Sequence, residues 1–188
     1  MYPINFTANF IKNTTIQQCN KKSQNDKEVA LVELDINDNN DTECLYNVAK
    51  DWDTKGFSYA YNIYSDAIKG CQYENVDKEH YIAITKQSDN FDMLEPEKVL
   101  GLTLVSELNN NTNEISWFQV DPKNNTKTHC DRTYEKVGSA MMNYVKETYN
   151  QKPIYVQAVQ DAVPFYEKCD FKVINPKSPN NLVLDCKG

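Results

Sequence analysis

The chain has 188 residues, of which 40% are apolar, enough to bury the core of one domain but too few for two full ones. Its formal net charge of −7 argues against a nucleic-acid partner held through phosphate contacts, and it suits either simple solubility or a cationic substrate such as an amine. No apolar run approaches the length of a membrane span and the start lacks the pattern of a signal peptide, so we expect a cytoplasmic protein with no membrane partner.

The six cysteines are scattered along the chain and form no C-x-x-C pair. Cysteines that bind zinc or build a dense disulfide framework usually recur at short, regular spacings. We therefore predict reduced thiols and no metal site.

The first 28 residues are polar, and we predict an irregular segment there with a short strand near Phe6 or Ile16. The apolar run 29–35 predicts the first clear strand, bounded by turn-forming Asn and Asp residues. We place a single domain over residues 29–188.

Two helices are predicted next. Asp41 or Thr42 can cap the first, and Gly56 ends it. Its predicted apolar face comprises Leu45, Val48 and Trp52. The second runs from residue 58 to about 68 and stops at Gly70. Its predicted apolar face comprises Phe57, Tyr61, Tyr64 and Ile68.

Three strands are predicted after these helices, over residues 80–85, 99–105 and 114–120. An Asn-rich turn separates the last two, which predicts an antiparallel hairpin. Pro122 follows the hairpin and cannot continue a strand ladder, so the third strand should end before it.

The stretch 134–147 predicts a short loop that opens directly into an amphipathic helix. Its apolar face comprises Val137, Met141, Tyr144, Val145 and Thr148. A helix start leaves backbone N–H groups unpaired at the positive end of the helix dipole, which makes it a seat for an anionic group. Predicted strands on both sides, 114–120 and 154–159, give the order typical of units that bind nucleotide-like cofactors at strand ends. A short helix carrying Tyr166 and a hairpin over 171–174 and 182–185 complete the prediction.

Two segments resemble a known family. The hexapeptide VGSAMM, residues 137–142, resembles the second half of the acyl-CoA-binding loop R/Q-x-x-G-x-G/A of the GNAT N-acetyltransferases. Residues 162–171, AVPFYEKCDF, resemble the family's A-x-x-x-Y-E-K-x-G-F segment, in the same order and separation. The resemblance covers about residues 29–186 and is strongest from residue 99 onward. It implies an α/β (α+β) fold with a mixed central sheet of about six or seven strands flanked by about four helices.

The resemblance implies that strands 114–120 and 154–159 splay apart to hold acetyl-CoA between them. The backbone of Phe118, Gln119 and Val120 would bind the pantetheine arm and polarise the acetyl carbonyl, because an unpaired strand edge supplies preorganised donors. The pyrophosphate would lie on main-chain amides of Tyr134, Glu135, Lys136, Val137, Gly138 and Ser139. Asp161 would cap a helix or contact the cofactor. As side chains, Trp117 and Phe118 fit a core role as well as a cofactor role.

The sequence departs from the family's loop in two places. Lys136 stands where the first glycine of the motif is expected, and Thr133 stands where its Arg or Gln is expected, with Arg132 displaced by one residue. A non-glycine must either adopt the loop's backbone geometry or change it. Lys136 can compensate by meeting a phosphate, or it can be a solvated surface lysine. Asp170 likewise replaces the glycine before Phe171.

Tyr166 matches the family tyrosine that protonates the leaving thiolate, a role for a phenol near its normal pKa. A packing role on the central helix is the alternative. Glu114 is the leading candidate for the base that deprotonates the amine, because it shares strand parity with Phe118 and Val120 unless a bulge resets that parity. Glu107, Asp121 or a chain of waters are substitutes.

The resemblance implies an N-acetyltransferase that moves acetyl from acetyl-CoA to a primary amine of a small molecule or peptide by direct attack. The alternative is a GNAT-like fold without catalysis, acting as an acyl-CoA-binding or protein-interaction module. An adaptor independent of CoA would need the two strands to be closed. A homodimer is left open. We assign no role to His80, and the neighbours His129 and Cys130 do not form a plausible catalytic pair.

Overall fold

Nine strands form one mixed sheet within the residues that the computed structural model describes, which are 8–20, 23–53, 58–70, 74–124 and 133–186. In chain order the strands are β1 (Asn9–Asn20), β2 (Ser23–Leu34), β3 (Val76–Thr85), β4 (Val99–Leu108), β5 (Thr112–Val120), β6 (Tyr134–Glu135), β7 (Ile154–Gln157), β8 (Lys172–Asn175) and β9 (Ser178–Leu184). Their order across the sheet is β6-β1-β2-β3-β4-β5-β7-β9-β8, and neighbours are antiparallel except for the parallel pair β5 and β7. The sheet has more strands than predicted.

The helices cover both faces of this sheet. They are α1 (Asn39–Trp52), α2 (Tyr59–Lys69), α3 (Val137–Thr148) and α4 (Val163–Lys168), joined by short 3-10 turns at Pro96–Lys98, Pro122–Asn124 and Gln160–Ala162. One apolar core lies under α3 and α4, and a second lies under α1 and α2. The mixed sheet with four helices confirms the predicted fold class.

The predicted irregular segment over residues 1–28 is wrong for residues 9–20 and 23–28, which form β1 and the start of β2. Strand β1 passes through Ile16, one of the two positions at which a short strand was predicted, and Phe6 lies outside the described residues. Among the described residues of β1 and the start of β2, Ile16 is the one apolar side chain that is fully buried. A strand with one solvated face needs few apolar residues, so its composition resembles that of a loop.

Helix α1 begins earlier than predicted. Asp38, not Asp41 or Thr42, is the N-cap, and its carboxylate accepts hydrogen bonds from the amides of Asn40 and Asp41 at 2.7 and 3.3 Å. Asp41 is instead fully buried, where it accepts a hydrogen bond from the Asp35 amide at 2.8 Å, and burial raises the pKa of its carboxyl to about 7. The predicted buried face of Leu45, Val48 and Trp52 is confirmed, and Gly56 lies outside the described residues.

Helix α2 has the predicted bounds, with Ser58 as N-cap and Gly70 as C-cap at a φ of 69°. Its predicted apolar face is right for Tyr64, which packs partly buried against the core under α1 and α2, but wrong for Tyr61 and Ile68, which are more than half exposed. Phe57 lies outside the described residues. The buried side chains are Ala60, Ile63 and Ala67. Small alanines let this helix lie close to the sheet, and Tyr61 and Ile68 are left on its outer side.

The β4–β5 hairpin and α3 occur as predicted, and β5 ends at Val120 before Pro122. Helix α3 buries Val137, Ala140, Met141, Met142, Tyr144 and Val145 against the sheet, while Thr148 is exposed. Gly101 of β4 permits this contact, because a Cβ at that position would overlap the sulfur of Met141. No described helix is long and apolar enough to span a membrane, and no group of metal-binding side chains is found among the described residues.

Candidate active site

Strands β5 and β7 separate part-way along their length. The parallel pairing joins Asn113 to Ile154, Glu114 to Tyr155 and Ile115 to Val156, and it ends there. Within the described part of the chain, β5 continues to Val120 paired only with β4, while β7 pairs with β9 on its other side. The β7-facing edge of residues 117–120 is therefore left without a strand partner among the described residues, as the predicted splaying requires.

A β-bulge at Ser116 marks the point of separation. Ile115 pairs with Val105 and Trp117 pairs with Leu104, the next residue of β4. Ser116 is therefore an extra residue that has no partner of its own on β4. The hydroxyls of Ser116 and Ser106 are 2.9 Å apart and share a hydrogen bond across the two strands. Bulges bend a strand and increase its twist, which directs the second half of β5 away from β7.

The bulge also places Glu114 on the other face of the sheet from Phe118 and Val120. Ile115 lies in the same core as those two residues, and Glu114, its neighbour in the regular part of the strand, points the opposite way. The predicted shared parity of Glu114 with Phe118 and Val120 is therefore wrong, because the extra residue at Ser116 reverses the alternation.

A cavity of about 560 Å³ opens at the fork between β5 and β7. It lies within the size range of small-molecule sites, roughly 300–1,000 Å³. All the predicted cofactor-binding residues line it, together with Tyr166: Phe118, Gln119, Val120, Tyr134, Glu135, Lys136, Val137, Gly138, Ser139 and Asp161. Glu114, Glu107 and Asp121 are not among its described lining residues.

Helix α3 points its N-terminus into this cavity. Lys136 is the N-cap, with no side-chain hydrogen bond to the first turn and a left-handed backbone at φ 63° and ψ 11°. A lysine thus adopts the conformation for which the family motif has glycine. Because the first helical amides lack intrahelical acceptors, those of Val137, Gly138 and Ser139 are left to meet an anion. The Lys136 side chain is exposed and has no ion-pair partner among the described residues.

The loop before α3 is tied to two distant elements. The Tyr134 amide donates to the Asn124 side chain at 3.0 Å, and the Cys19 amide of β1 donates to the Thr133 carbonyl at 2.8 Å. Residues 134 and 135 also pair with β1 as the short strand β6. Sequence reasoning missed both anchors, because neither Asn124 nor β1 has a motif. Arg132, His129 and Cys130 lie outside the described residues.

Tyr166 is buried on the cavity wall, with only 5% of its surface exposed. Its ring contacts those of Phe118, Phe165 and Phe171 at centroid distances of 6.4, 5.3 and 5.6 Å. Its hydroxyl has no hydrogen-bond partner among the described residues. Burial raises the pKa of Tyr166, so the expectation of a near-normal pKa is wrong, and the hydroxyl stays protonated at neutral pH.

Asp161 lies in the 3-10 turn Gln160–Ala162 on the same wall. Helix α4 begins after Ala162 without a side-chain cap, so Asp161 does not cap that helix. Its place on the cavity wall fits the other predicted role, contact with the cofactor.

The opposite wall of the cavity comes from α1 and α2, as the family resemblance implies for the substrate pocket, although the sequence has no interpretable motif there. Its described residues are Trp52, Ser58 and Tyr59. The side-chain oxygen of Gln119 accepts hydrogen bonds from the Ala60 amide at 2.8 Å and from the Ser58 hydroxyl at 3.1 Å, which fixes the start of α2 over the end of β5. The N-cap signal of Ser58 was present in the sequence, but not its contact with Gln119.

His80 and Glu107 form a second cluster. His80 Nδ1 is 2.7 Å from a carboxylate oxygen of Glu33, and Nε2 is 2.9 Å from one of Glu107, which also accepts from Lys152 at 3.1 Å. These residues line another cavity, of about 360 Å³, near the C-terminal end of α3. The contacts with His80 and Lys152 thus hold the Glu107 carboxylate in this second cluster, away from the fork between β5 and β7. Asp121 accepts a hydrogen bond from the Lys123 amide in the turn after β5.

No protein-family model matches the sequence, and no match is found among curated proteins. Among solved structures, the chain is similar to a Desulfovibrio desulfuricans protein assigned to the GNAT family of acetyltransferases, with 13% identity over 85% of this chain and 99% of that one, and a TM-score of 0.54. A Bacillus anthracis protein, assigned as a streptothricin acetyltransferase and bound to acetyl coenzyme A, matches 94% of this chain and 82% of its own with 12% identity, but its TM-score of 0.39 adds nothing about the fold. With its bulged and splayed central strands, this chain has the fold of the GNAT acetyltransferases.

Proposed function

We propose that this protein is an N-acetyltransferase that moves an acetyl group from acetyl-CoA to a primary amine by direct attack. The observation that carries the proposal is the convergence of three features on one cavity: the unpaired edge of β5, the uncapped start of α3 and the Tyr166 hydroxyl. Each supplies a group that acetyl transfer from a thioester needs.

The hydrogen-bond donors at the fork match the chemical groups of acetyl-CoA. An extended pantetheine arm carries amides that can pair with the free backbone edge of Phe118 to Val120, as an added strand does. Its pyrophosphate is an anion that suits the amides of Val137, Gly138 and Ser139, and the Lys136 ammonium beside them. The aromatic side chains of Phe118 and Phe165 keep the wall between these two regions apolar.

In the transfer, the neutral amine nitrogen attacks the acetyl carbonyl carbon, the carbon–sulfur bond breaks, and the sulfur leaves as a thiolate. Backbone N–H groups at the free edge of β5 stabilise the developing negative charge on the carbonyl oxygen. Tyr166 donates its hydroxyl proton to the departing thiolate, and the tyrosinate then regains a proton from solvent, which its raised pKa favours. Because Glu114, Glu107 and Asp121 are not among the described residues that line the cavity, we assign the proton lost by the amine to a chain of waters.

An assay of the purified protein with acetyl-CoA and a broad panel of primary amines tests this proposal. Free thiol release and the mass of the acetylated amine are measured together. We expect thiol release that depends on the amine and matches the acetylated product in amount. Acetyl-CoA binding without transfer to any amine would favour the alternative of a binding module, and no binding at millimolar acetyl-CoA would overturn the proposal.

A further inference from the structure

The cavity extends past the fork toward α1 and α2. We call this region, formed by Trp52, Ser58, Tyr59, Trp117 and Gln119, the acceptor end. Trp52 and Trp117 belong to the core under α1 and α2, whereas Tyr166, Phe118 and Val120 pack in the core under α3 and α4. The cavity thus joins the two faces of the sheet where β5 and β7 separate, and a molecule at the acceptor end approaches the fork from the face opposite Tyr166.

The acceptor end carries no ionic side chain among its described residues. The charged residues that line the cavity, Glu135, Lys136 and Asp161, belong to the loops around α3 and α4. Asp66 of α2 lies behind Trp117, and its carboxylate accepts the indole N–H at 2.7 Å. A polycation would find no free carboxylate on this wall to replace its hydration, and burying an unpaired charge is costly.

Two aromatic side chains line this region as a stacked pair. The rings of Tyr59 and Trp117 stack with a centroid distance of 5.7 Å and an angle of 28° between their planes. Because Asp66 fixes the indole nitrogen, Trp117 is held in place before any ligand arrives. A preordered aromatic face favours flat, apolar ligand groups.

Gln119 adds one polar group to this wall. The Ala60 amide can only donate, so the Gln119 atom that faces it must be the oxygen, and the Ser58 hydroxyl donates to that same oxygen. The Gln119 amide nitrogen is left without a hydrogen-bond partner among the described residues. It is a positioned donor for a neutral acceptor atom, such as an ether or hydroxyl oxygen.

We propose that the acceptor is an arylalkylamine: a primary amine on a short chain attached to an aromatic ring that packs against the stacked pair of Tyr59 and Trp117, with a ring oxygen that accepts from Gln119. This assignment rests on the proposed acetyltransferase function and names the substrate class of the same site. It excludes polyamines and other polycations as preferred acceptors.

The test compares kcat/KM for three acceptors: 2-(4-methoxyphenyl)ethylamine, 2-phenylethylamine and spermidine. For the wild type we expect both aromatic amines to exceed spermidine by at least about tenfold, and the methoxy compound to exceed 2-phenylethylamine by several-fold. Trp117→Leu should reduce the preference for aromatic amines over spermidine, because it removes one of the two stacked rings.

Gln119→Glu is the sharper variant. Its carboxylate still accepts from the Ala60 amide and the Ser58 hydroxyl, and a negative charge suits the start of α2, so the wall should remain in place. The substitution removes the side-chain N–H donor and adds a negative charge. We expect the advantage of the methoxy compound to disappear and kcat/KM for spermidine to rise. Gln119→Leu has neither the N–H donor nor the negative charge. It should therefore lose the advantage of the methoxy compound without a rise in kcat/KM for spermidine.

The outcomes separate the two proposals. Faster transfer to spermidine than to either aromatic amine by the wild type would overturn the acceptor assignment and leave the acetyltransferase intact. An unchanged methoxy preference in Gln119→Glu would also overturn it. No transfer to any amine in the broad panel would overturn the acetyltransferase and, with it, this assignment.

Discussion

The main-chain carbonyl of Lys136 accepts a hydrogen bond from the Ala140 amide at 2.9 Å, so the first turn of α3 closes on a residue with a left-handed backbone. That conformation costs a non-glycine residue about 1–2 kcal/mol. The chain keeps a lysine there, and its exposed ammonium lies on the cavity wall.

Substitutions of Lys136 should therefore change the free energy of unfolding and the CoA affinity in different ways. Lys136→Gly relieves the strain but adds freedom to the unfolded chain, so we expect its free energy of unfolding to rise by no more than about 1 kcal/mol. CoA affinity should fall several-fold at low salt, because the ammonium is lost. Denaturant unfolding and calorimetric titration measure the two effects.

The matched variants are Lys136→Asn, which tolerates a left-handed backbone without the charge, and Lys136→Arg, which keeps the charge. We expect the first to weaken CoA binding and the second to retain it. Equal CoA affinity in Lys136→Asn and the wild type would show that Lys136 is a solvated lysine with no part in phosphate binding.

Tyr166→Phe should slow the reaction without unfolding the protein. The hydroxyl has no partner among the described residues, so its removal breaks no described hydrogen bond and the melting temperature should hardly change. Loss of a general acid usually lowers kcat by about a hundredfold or more. The control is Tyr155→Phe on β7, a partly exposed tyrosine that does not line the cavity. An unchanged kcat in Tyr166→Phe would remove the hydroxyl from the chemistry.

The His80 cluster should make stability depend on pH. Burial lowers the pKa of His80, but its hydrogen bonds to Glu33 and Glu107 outweigh that effect, so the pKa lies above its usual value. The hydrogen bond to His80 lowers the pKa of each glutamate. The His80 contribution is therefore full below about pH 6.5 and is lost as pH rises through the folded-state pKa, whereas that of the glutamates is full above about pH 4.5 and is lost as pH falls.

His80→Gln tests this linkage. At pH 6 the variant should be less stable than the wild type by on the order of 2 kcal/mol, since it loses two charge-assisted hydrogen bonds. The difference in free energy of unfolding should shrink as pH is raised to 9, because the wild-type histidine becomes neutral. A difference that is the same at pH 6 and pH 9 would contradict the raised pKa.

The elements with strong local signals could be predicted from the sequence. The period of α3, the Asn-rich turn between β4 and β5, and the capping pair Ser58 and Gly70 each act over a few residues, and the structure has all three elements at the predicted places. The residues 118–120 and 134–139, which the family resemblance assigned to the cofactor, also line the cavity.

Features that depend on distant contacts could not be predicted. The bulge at Ser116 follows from its pairing with β4, and it reversed the face assigned to Glu114. Strand β1 is polar and is stabilised by pairing on both edges, with β2 and β6, rather than by apolar periodicity. Asp170 is a further example. It stands where the family has glycine, and it takes a left-handed backbone at φ 72°.

Gly138 gives the most direct test of the central claim, that the start of α3 binds the pyrophosphate of CoA. A Cβ at Gly138 would lie 3.4 Å from Val120 and 3.5 Å from Phe165, an ordinary contact distance, so the position tolerates a small side chain. Valine would add two further methyl groups where the loop amides must approach phosphate oxygens. The control for the cost of a β-branched residue in the same helix is Asn143→Val, on the exposed side of α3.

The measurement is calorimetric titration of CoA into the wild type, Gly138→Val and Asn143→Val, with melting temperatures of all three. We predict that the wild type binds CoA with a Kd between about 1 μM and 1 mM, and that Gly138→Val raises this Kd by at least about tenfold, or about 1.4 kcal/mol. Asn143→Val should match the wild type in Kd. A folded Gly138→Val protein with the wild-type Kd, or a wild type that does not bind CoA at millimolar concentration, would contradict the account.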